Sequence, residues 1–188
     1  TSSSAILNIN DSTLKNNFNI TTSRYTGGSM FAEGTSKIII TNSIIENCYA
    51  YLFGSAFYLR DSSSITINSG KFFGNSGNTN TMTFCIDNNA KCTILGGEFY
   101  NNLAGNNGVL WISNGKLDIA GGKFFNNYAT VGKSIFLNGN GVVNLTNFEE
   151  IEEIYLTNGK KINILDILLD KTLNIKLKNP VNDTTIAI

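Results

Sequence analysis

The chain predicts an all-β fold: a right-handed single-stranded parallel β-helix with three short strands per rung and roughly 25–27 residues per rung. Three observations predict it. Nearly identical segments recur, Gly70-Lys71-Phe72-Phe73-Gly74-Asn75, Gly97-Glu98-Phe99-Tyr100-Asn101-Asn102 and Gly122-Lys123-Phe124-Phe125-Asn126-Asn127, spaced by 27 and then 25 residues. Short runs between them alternate apolar and polar residues, the period of a half-buried strand. The punctuation is Asn and Gly, with a single proline, Pro180. Stacked ladders need every backbone donor, and proline has none to give.

Each repeat divides into three runs. The first runs are Ser29–Ala32, Ala56–Leu59, Thr83–Ile86, Val109–Ile112, Ser134–Leu137 and Glu153–Leu156. The second runs are Ile38–Ile40, Ile65–Ile67, Cys92–Ile94, Leu117–Ile119, Val143–Leu145 and Ile162–Ile164. Stacked in register, Ile38, Ile65, Cys92, Leu117, Val143 and Ile162 make one inward column, and Ile40, Ile67, Ile94, Ile119, Leu145 and Ile164 make the next. Ile39, Thr66, Thr93, Asp118, Asn144 and Asn163 then face out. The third runs place Ile44, Phe72, Phe99 and Phe124 inward, each three residues before Asn47, Asn75, Asn102 or Asn127. Leu14 with Asn17 is an earlier copy.

Helix is disfavoured because the runs are short, Asn and Gly interrupt them, and no long stretch has a 3.6 period. Residues 149–156 fit one helical turn but also carry the strand Ile154-Tyr155-Leu156. The reading is one domain, 1–188, with regular rungs over about 14–165 and a less regular C-terminal rung or cap over 166–188. Leu173 to Leu177 still alternates, and Thr185 to Ile188 reads as a last strand. The chain opens inside patterned sequence and is read as a mature piece or an excised fragment.

The pairing of Gly27-Gly28-Ser29-Met30 or Gly54-Ser55-Ala56-Phe57 with Phe-x-x-Asn at Phe72, Phe99 and Phe124 resembles the GGA-I and FxxN repeats of chlamydial-type polymorphic outer-membrane proteins. The resemblance covers roughly residues 14–150. It implies a parallel β-helix and an adhesin or passenger role. GGA-I is intact nowhere in this chain, residues 81–84 lack its glycines, and the translocator barrel of the chlamydial proteins has no counterpart here.

Composition narrows function. Fourteen basic residues balance 14 acidic ones, so long-range attraction to nucleic acid or an anionic membrane is removed as an argument. No apolar run approaches the ~20 residues that span a bilayer. Histidine is absent, which removes Ser–His and Cys–His chemistry and the commonest metal ligand. Asp61, Asp87 and Asp118 are scattered, and Glu149, Glu150, Glu152 and Glu153 form a local run. Neither matches paired glycosidase carboxylates or the calcium cluster and basic catalyst of β-helix pectate lyases. The outward row Thr66, Thr93, Asp118, Asn144 is too mixed for an ice-binding face. Catalytic, metal and cofactor sites are therefore expected to be absent. Cys48, Cys85 and Cys92 read as small apolar residues.

Four groups carry the remaining expectations. Asn47, Asn75, Asn102 and Asn127 form a structural ladder of amides. Lys71, Glu98 and Lys123 alternate in sign across rungs, and Arg60 pairs with Asp87. Two outward aromatic stripes stand as a partner or glycan face: Phe31, Tyr58, Trp111, Phe136 and Tyr155 (with Cys85 between them), and Phe73, Tyr100 and Phe125, with Ile45 heading the second. Sequons lie at Asn10, Asn19, Asn144 and Asn182. The function expected is a non-catalytic adhesin-like or surface-binding module of a larger secreted or cell-surface protein, with a surface glycan, a protein ligand or neighbouring domains as partner. The alternatives are a polysaccharide-active β-helix fragment and a structural spacer or lattice subunit.

Overall fold

In the computed structural model, which describes residues 4–22, 27–166 and 171–179, every strand pairing is parallel and each rung stacks on the one before. The fold is a parallel β-solenoid. The second runs form a seven-stranded sheet: Ile6–Asn10, Lys37–Thr41, Ser64–Ile67, Lys91–Ile94, Lys116–Ala120, Val142–Asn147 and Asn163–Ile164. The first runs form another seven-stranded sheet, from Met30–Ala32 to Ile175–Leu177. The third runs form a six-stranded sheet, from Thr13–Lys15 to Glu150–Ile151. A short fourth row, Phe18–Asn19, Tyr49–Ala50 and Ser76–Gly77, continues as single bridges at Leu103 and Tyr128. Among the described residues there is no α-helix. Residues 149–156 form strands Glu150–Ile151 and Ile154–Leu156. The proposed strand at Thr185 to Ile188 lies outside the described residues.

The inward columns are those the alternation predicts. Ile38, Ile65, Cys92, Leu117, Val143 and Ile162 are buried, as are Ile40, Ile67, Ile94, Ile119 and Leu145, while Ile164, at the end of the second column, is half-buried. The solenoid also begins earlier than the expected Leu14, because Ile6–Asn10 pairs with Lys37–Thr41 in register. Phe72, Phe99 and Phe124 stack face to face in the core at 4.6 and 4.5 Å between ring centroids. Phe84 meets Phe72 and Phe99 edge-on, the geometry the ring quadrupole favours.

The corner after each third run decides the path of the chain. Asn16, Asn47, Gly74, Asn101 and Asn126 hold φ between 52° and 65° there. Only Gly and Asn adopt that left-handed conformation readily. The next residue points inward. Asn75, Asn102 and Asn127 are buried, and each amide oxygen receives the preceding rung. Cys48 N–H donates to Asn75 Oδ1 at 3.0 Å, Asn75 N–H to Asn102 Oδ1 at 3.2 Å and Asn102 N–H to Asn127 Oδ1 at 3.1 Å. Asn75 and Asn102 Nδ2 donate to the same oxygens at 3.1 Å. The three Nδ2 groups also reach the carbonyls of Ile45, Phe72 and Phe99. Glu152 ends the ladder by accepting Asn127 N–H at 2.9 Å.

Asn47 is not a rung of this ladder. The register pairs Ile45, not Ile44, with Phe72, so the third run sits one residue later than the Phe-x-x-Asn spacing suggests. Ile45 is buried, Asn47 is the exposed left-handed corner residue, and Cys48 takes the ladder position. Asn17 occupies that position in the first rung, with its Nδ2 on Cys48 Sγ and Ser29 Oγ. The glycines before the first runs make tight turns: a Cβ on Gly54, at φ +57°, would lie 2.2 Å from Phe57 O.

Turn length varies along the stack, from 31 residues between Asp11 and Asn42 through 27 and 25 to 19 between Asn144 and Asn163. The final strand, Ile175–Leu177, pairs with Ile154–Leu156. It is latched by an ion pair between Lys176 Nζ and the buried Glu153 carboxylate, which also accepts Gly132 N–H at 2.7 Å. Burial pushes the Glu153 carboxyl upward, but Lys176 and the amides of Gly132 and Lys133 outweigh it and hold it below its ordinary value. Leu173, Ile175 and Leu177 pack on the core at this end.

Replacing Asn102 with Ala leaves a buried N–H and a buried carbonyl without their partner and is expected to cost about 2–4 kcal/mol. Asn47→Gly, at a corner that tolerates glycine, is expected to change stability by less than about 0.5 kcal/mol. Urea titrations of both variants check the contrast. For Glu153, whose folded pKa is depressed, the latch contributes fully above the ordinary carboxyl value and fades as pH falls through the folded one. The stability difference between the wild type and Glu153→Gln is therefore expected near neutrality and lost in acid, as read by thermal melts at several pH values.

Candidate binding face

The two aromatic stripes differ in exposure. In the first, Tyr58 and Phe136 are buried and Cys85 is 1 % exposed, although all three point away from the core. Phe53 and Met82, from the loops ahead of the first runs, pack against Tyr58 and Cys85. Tyr58, Met82 and Cys85 make a second small apolar cluster, with Phe53 and Trp111 against it. Phe53 contacts the Tyr58 ring at 5.6 Å. Phe136 stacks on Tyr155 at 5.2 Å. Phe31 remains exposed beside Tyr58, and Trp111 is half-buried. This stripe is thus mostly a covered contact between loops and sheet.

The second stripe is open. Phe73, Tyr100 and Phe125 stack with centroids 5.0 and 5.1 Å apart and planes within 14° of parallel. All three are half-buried. Ile45, expected to head this column, faces the core, and Glu46 pairs with Phe73 instead. Beside the rings runs the charge column. Lys71 pairs with Glu98 at 3.7 Å, whereas Lys123 pairs forward with Glu150 at 3.4 Å and lies 4.6 Å from the Phe125 ring centre. Around the left-handed corner stands a column that the three-run reading misses: Phe18, Tyr49, Ser76, Leu103 and Tyr128. Phe18 stacks on Tyr49 at 4.7 Å. Leu103 is 45 % and Tyr128 64 % exposed. Its signal was present, since each of these residues directly follows a ladder position. Together Phe73, Tyr100, Phe125, Leu103 and Tyr128 make an apolar ridge along two sides of one corner.

The acidic residues are engaged in holding the fold. Asp118 is held by Lys91 and Lys116, each at 3.2 Å, and by Asn144 Nδ2. Burial raises its carboxyl, but Asn144, Lys116 and Lys91 outweigh that and keep it below its ordinary value. Glu150, Glu152 and Glu153 hold Lys123, the Asn127 amide and Lys176 respectively. Arg60 lies 3.4 Å from Asp61 Oδ2, and Asp87 Oδ1 accepts from Asn114. Among the described residues no group of His, Cys, Asp and Glu is placed to hold a metal. Among the described residues no helix is long and apolar enough to cross a membrane.

Of the sequons, Asn10 is exposed. Asn19 donates to Gly27 O. Asn144 is buried and bound to Asp118 and Asn163. Asn182 lies outside the described residues. Compared with protein-family models, curated proteins and solved structures, the chain matches none.

The three cysteines are free and buried. Burial, with Asp87 beside Cys85 and Asp118 beside Cys92, pushes both of those thiols well up. A thiol reagent is expected to leave the native protein unlabelled and to titrate three thiols after unfolding, because the thiolate is the reactive species. Absorbance with Ellman's reagent checks this.

Proposed function

We propose that the chain is a non-catalytic, adhesin-like binding module of a larger secreted or cell-surface protein. The supporting observation is the corner ridge of Phe73, Tyr100, Phe125, Leu103 and Tyr128. Contiguous exposed apolar surface is uncommon on a soluble β-protein unless something binds there. Tyr and Phe supply large contact area with little side-chain entropy to lose. Tyr100 is held between Phe73 and Phe125, and all three rings rise from strands of one sheet.

The stacking favours a protein ligand over a glycan. Sugars bind aromatic residues through ring faces, and here the faces of Phe73, Tyr100 and Phe125 lie against one another. Ring edges and the side chains of Leu103 and Tyr128 are what a partner meets. They suit the apolar side chains of a protein surface, with Lys71, Glu98 and Lys123 as a charged rim. The engagement of Glu150, Glu152, Glu153 and Asp118 in ion pairs and hydrogen bonds weighs against a polysaccharide-active reading.

Binding to cells, to matrix proteins and to a glycan array tests this. Tyr100→Ala and Tyr128→Ala are expected to weaken protein or cell binding by about tenfold or more each, the scale of an aromatic anchor. Trp111→Ala, on the mostly covered stripe, is expected to leave binding unchanged. Failure to bind any protein or cell surface, or wild-type binding by both ridge variants, rejects the proposal.

A further inference from the structure

The two ends of the solenoid are built differently, and the difference identifies a second contact surface. At the C-terminal end Leu173, Ile175 and Leu177 pack against the core, and Lys171 lies over Phe148. The N-terminal end has no such cover among the described residues. Leu7 belongs to the same inward column as Ile38, yet Leu7 is 47 % exposed and Ile38 5 %. Ile6, Phe18 and Ile20 stand open at the same end. A hollow there is lined by Leu7, Met30, Phe31 and Ile38.

The backbone is open in the same way. In a parallel ladder alternate residues bond to opposite neighbours. Lys37 N–H donates to Ala5 O and Asp11 N–H to Thr41 O, so the odd-numbered residues of this strand face the second rung. The N–H groups of Ile6, Asn8 and Asn10 and the carbonyls of Ile6 and Asn8 therefore face the open side, while the Asn10 carbonyl accepts the Ser12 hydroxyl at 2.6 Å. The amide ladder ends there too. In every buried step the Oδ1 of one rung receives the N–H of the rung before it, and Asn17 Oδ1 stands where a rung ahead of it would dock.

We propose that the N-terminal end is an acceptor edge for one further parallel rung of this same repeat, joined in series ahead of Ile6. The contact continues the rung-to-rung interface already present throughout the molecule. A series rung satisfies all the columns at once: apolar residues over Leu7 and Met30, a strand on the Ile6–Asn10 edge and an N–H over Asn17. A second copy meets the edge less well. At its C-terminal end the turns have shortened to 19 and 21 residues, which shifts the columns out of line with the 31-residue first turn, and its N-terminal end, turned over by a two-fold axis, runs its strands antiparallel and brings different sheets into register. An edge of this kind left bare is an aggregation template. This inference does not rest on the ridge being a binding face.

The experiment compares the full chain with two extended forms, one with a copy of residues 37–63 and one with a copy of residues 64–90 joined directly ahead of Ile6. Amide hydrogen exchange is read at Ile6, Asn8 and Asn10, and mass is followed by analytical ultracentrifugation. Slowing of the three amides by about tenfold or more in at least one extended form, with both states monomeric, is the expected result. Added rungs that stay unprotected in both forms overturn the proposal. So does prior protection of those amides in the unextended chain with a concentration-dependent rise in mass, which assigns the edge to a second copy.

Discussion

Everything in this fold depends on keeping the rungs in register, and the Asn amide does that at the corner after the third run. A chain that turns inward there buries an N–H and a carbonyl that no strand can pair. Asn75, Asn102 and Asn127 answer both needs with one side chain: the amide oxygen takes the N–H of the rung before, and the amide nitrogen gives to a carbonyl of that rung. The residue ahead of each supplies the left-handed turn that makes the inward approach feasible. The pair Asn-Asn is thus two devices, one conformational and one hydrogen-bonding. Cys48 shows what a substitution keeps: its Sγ takes Asn17 Nδ2 at the long distance of 3.7 Å in place of a backbone N–H, and its own N–H still uses Asn75.

The core and the exterior follow from that register. Because side chains alternate, fixing Phe72, Phe99 and Phe124 inward fixes Phe73, Tyr100 and Phe125 outward. The outward rings then sit at rung spacing and stack. Whether an outward ring is available to a partner depends on the loops. Where a loop carries Phe53 or Met82 to the sheet, the stripe is covered. Beyond the tight Gly or Asn corner, Leu103 and Tyr128 stay exposed.

Much of this was legible in the sequence because it is periodic. The second-run columns and the Phe72–Phe99–Phe124 core needed only the repeat spacing and the period of two. The failures are local and share a cause. Ile44 and Asn47 mimic the Phe-x-x-Asn spacing one residue early because the ladder Asn is replaced by Cys48, and a one-residue slip exchanges inside for outside. The covering of Tyr58 and Cys85 depends on Phe53 and Met82, which lie in loops that obey no repeat. The row containing Leu103 and Tyr128 is only one or two residues long in each rung, too short to show alternation. For the candidate face, the second stripe was legible from the pattern, while its extension around the corner required the fold.

The backbone hydrogen bonds between rungs lie along the long axis, and each turn is tied mainly to its two neighbours. Tension applied between the ends therefore loads the outermost turn first, instead of shearing all the turns together. Releasing one turn of about 26 residues yields roughly 85–95 Å of extended chain at ~3.3–3.6 Å per residue, in exchange for about 4.8 Å of stacked rise. The molecule can thus lengthen greatly by giving up turns singly, while the remaining turns keep their ridge intact.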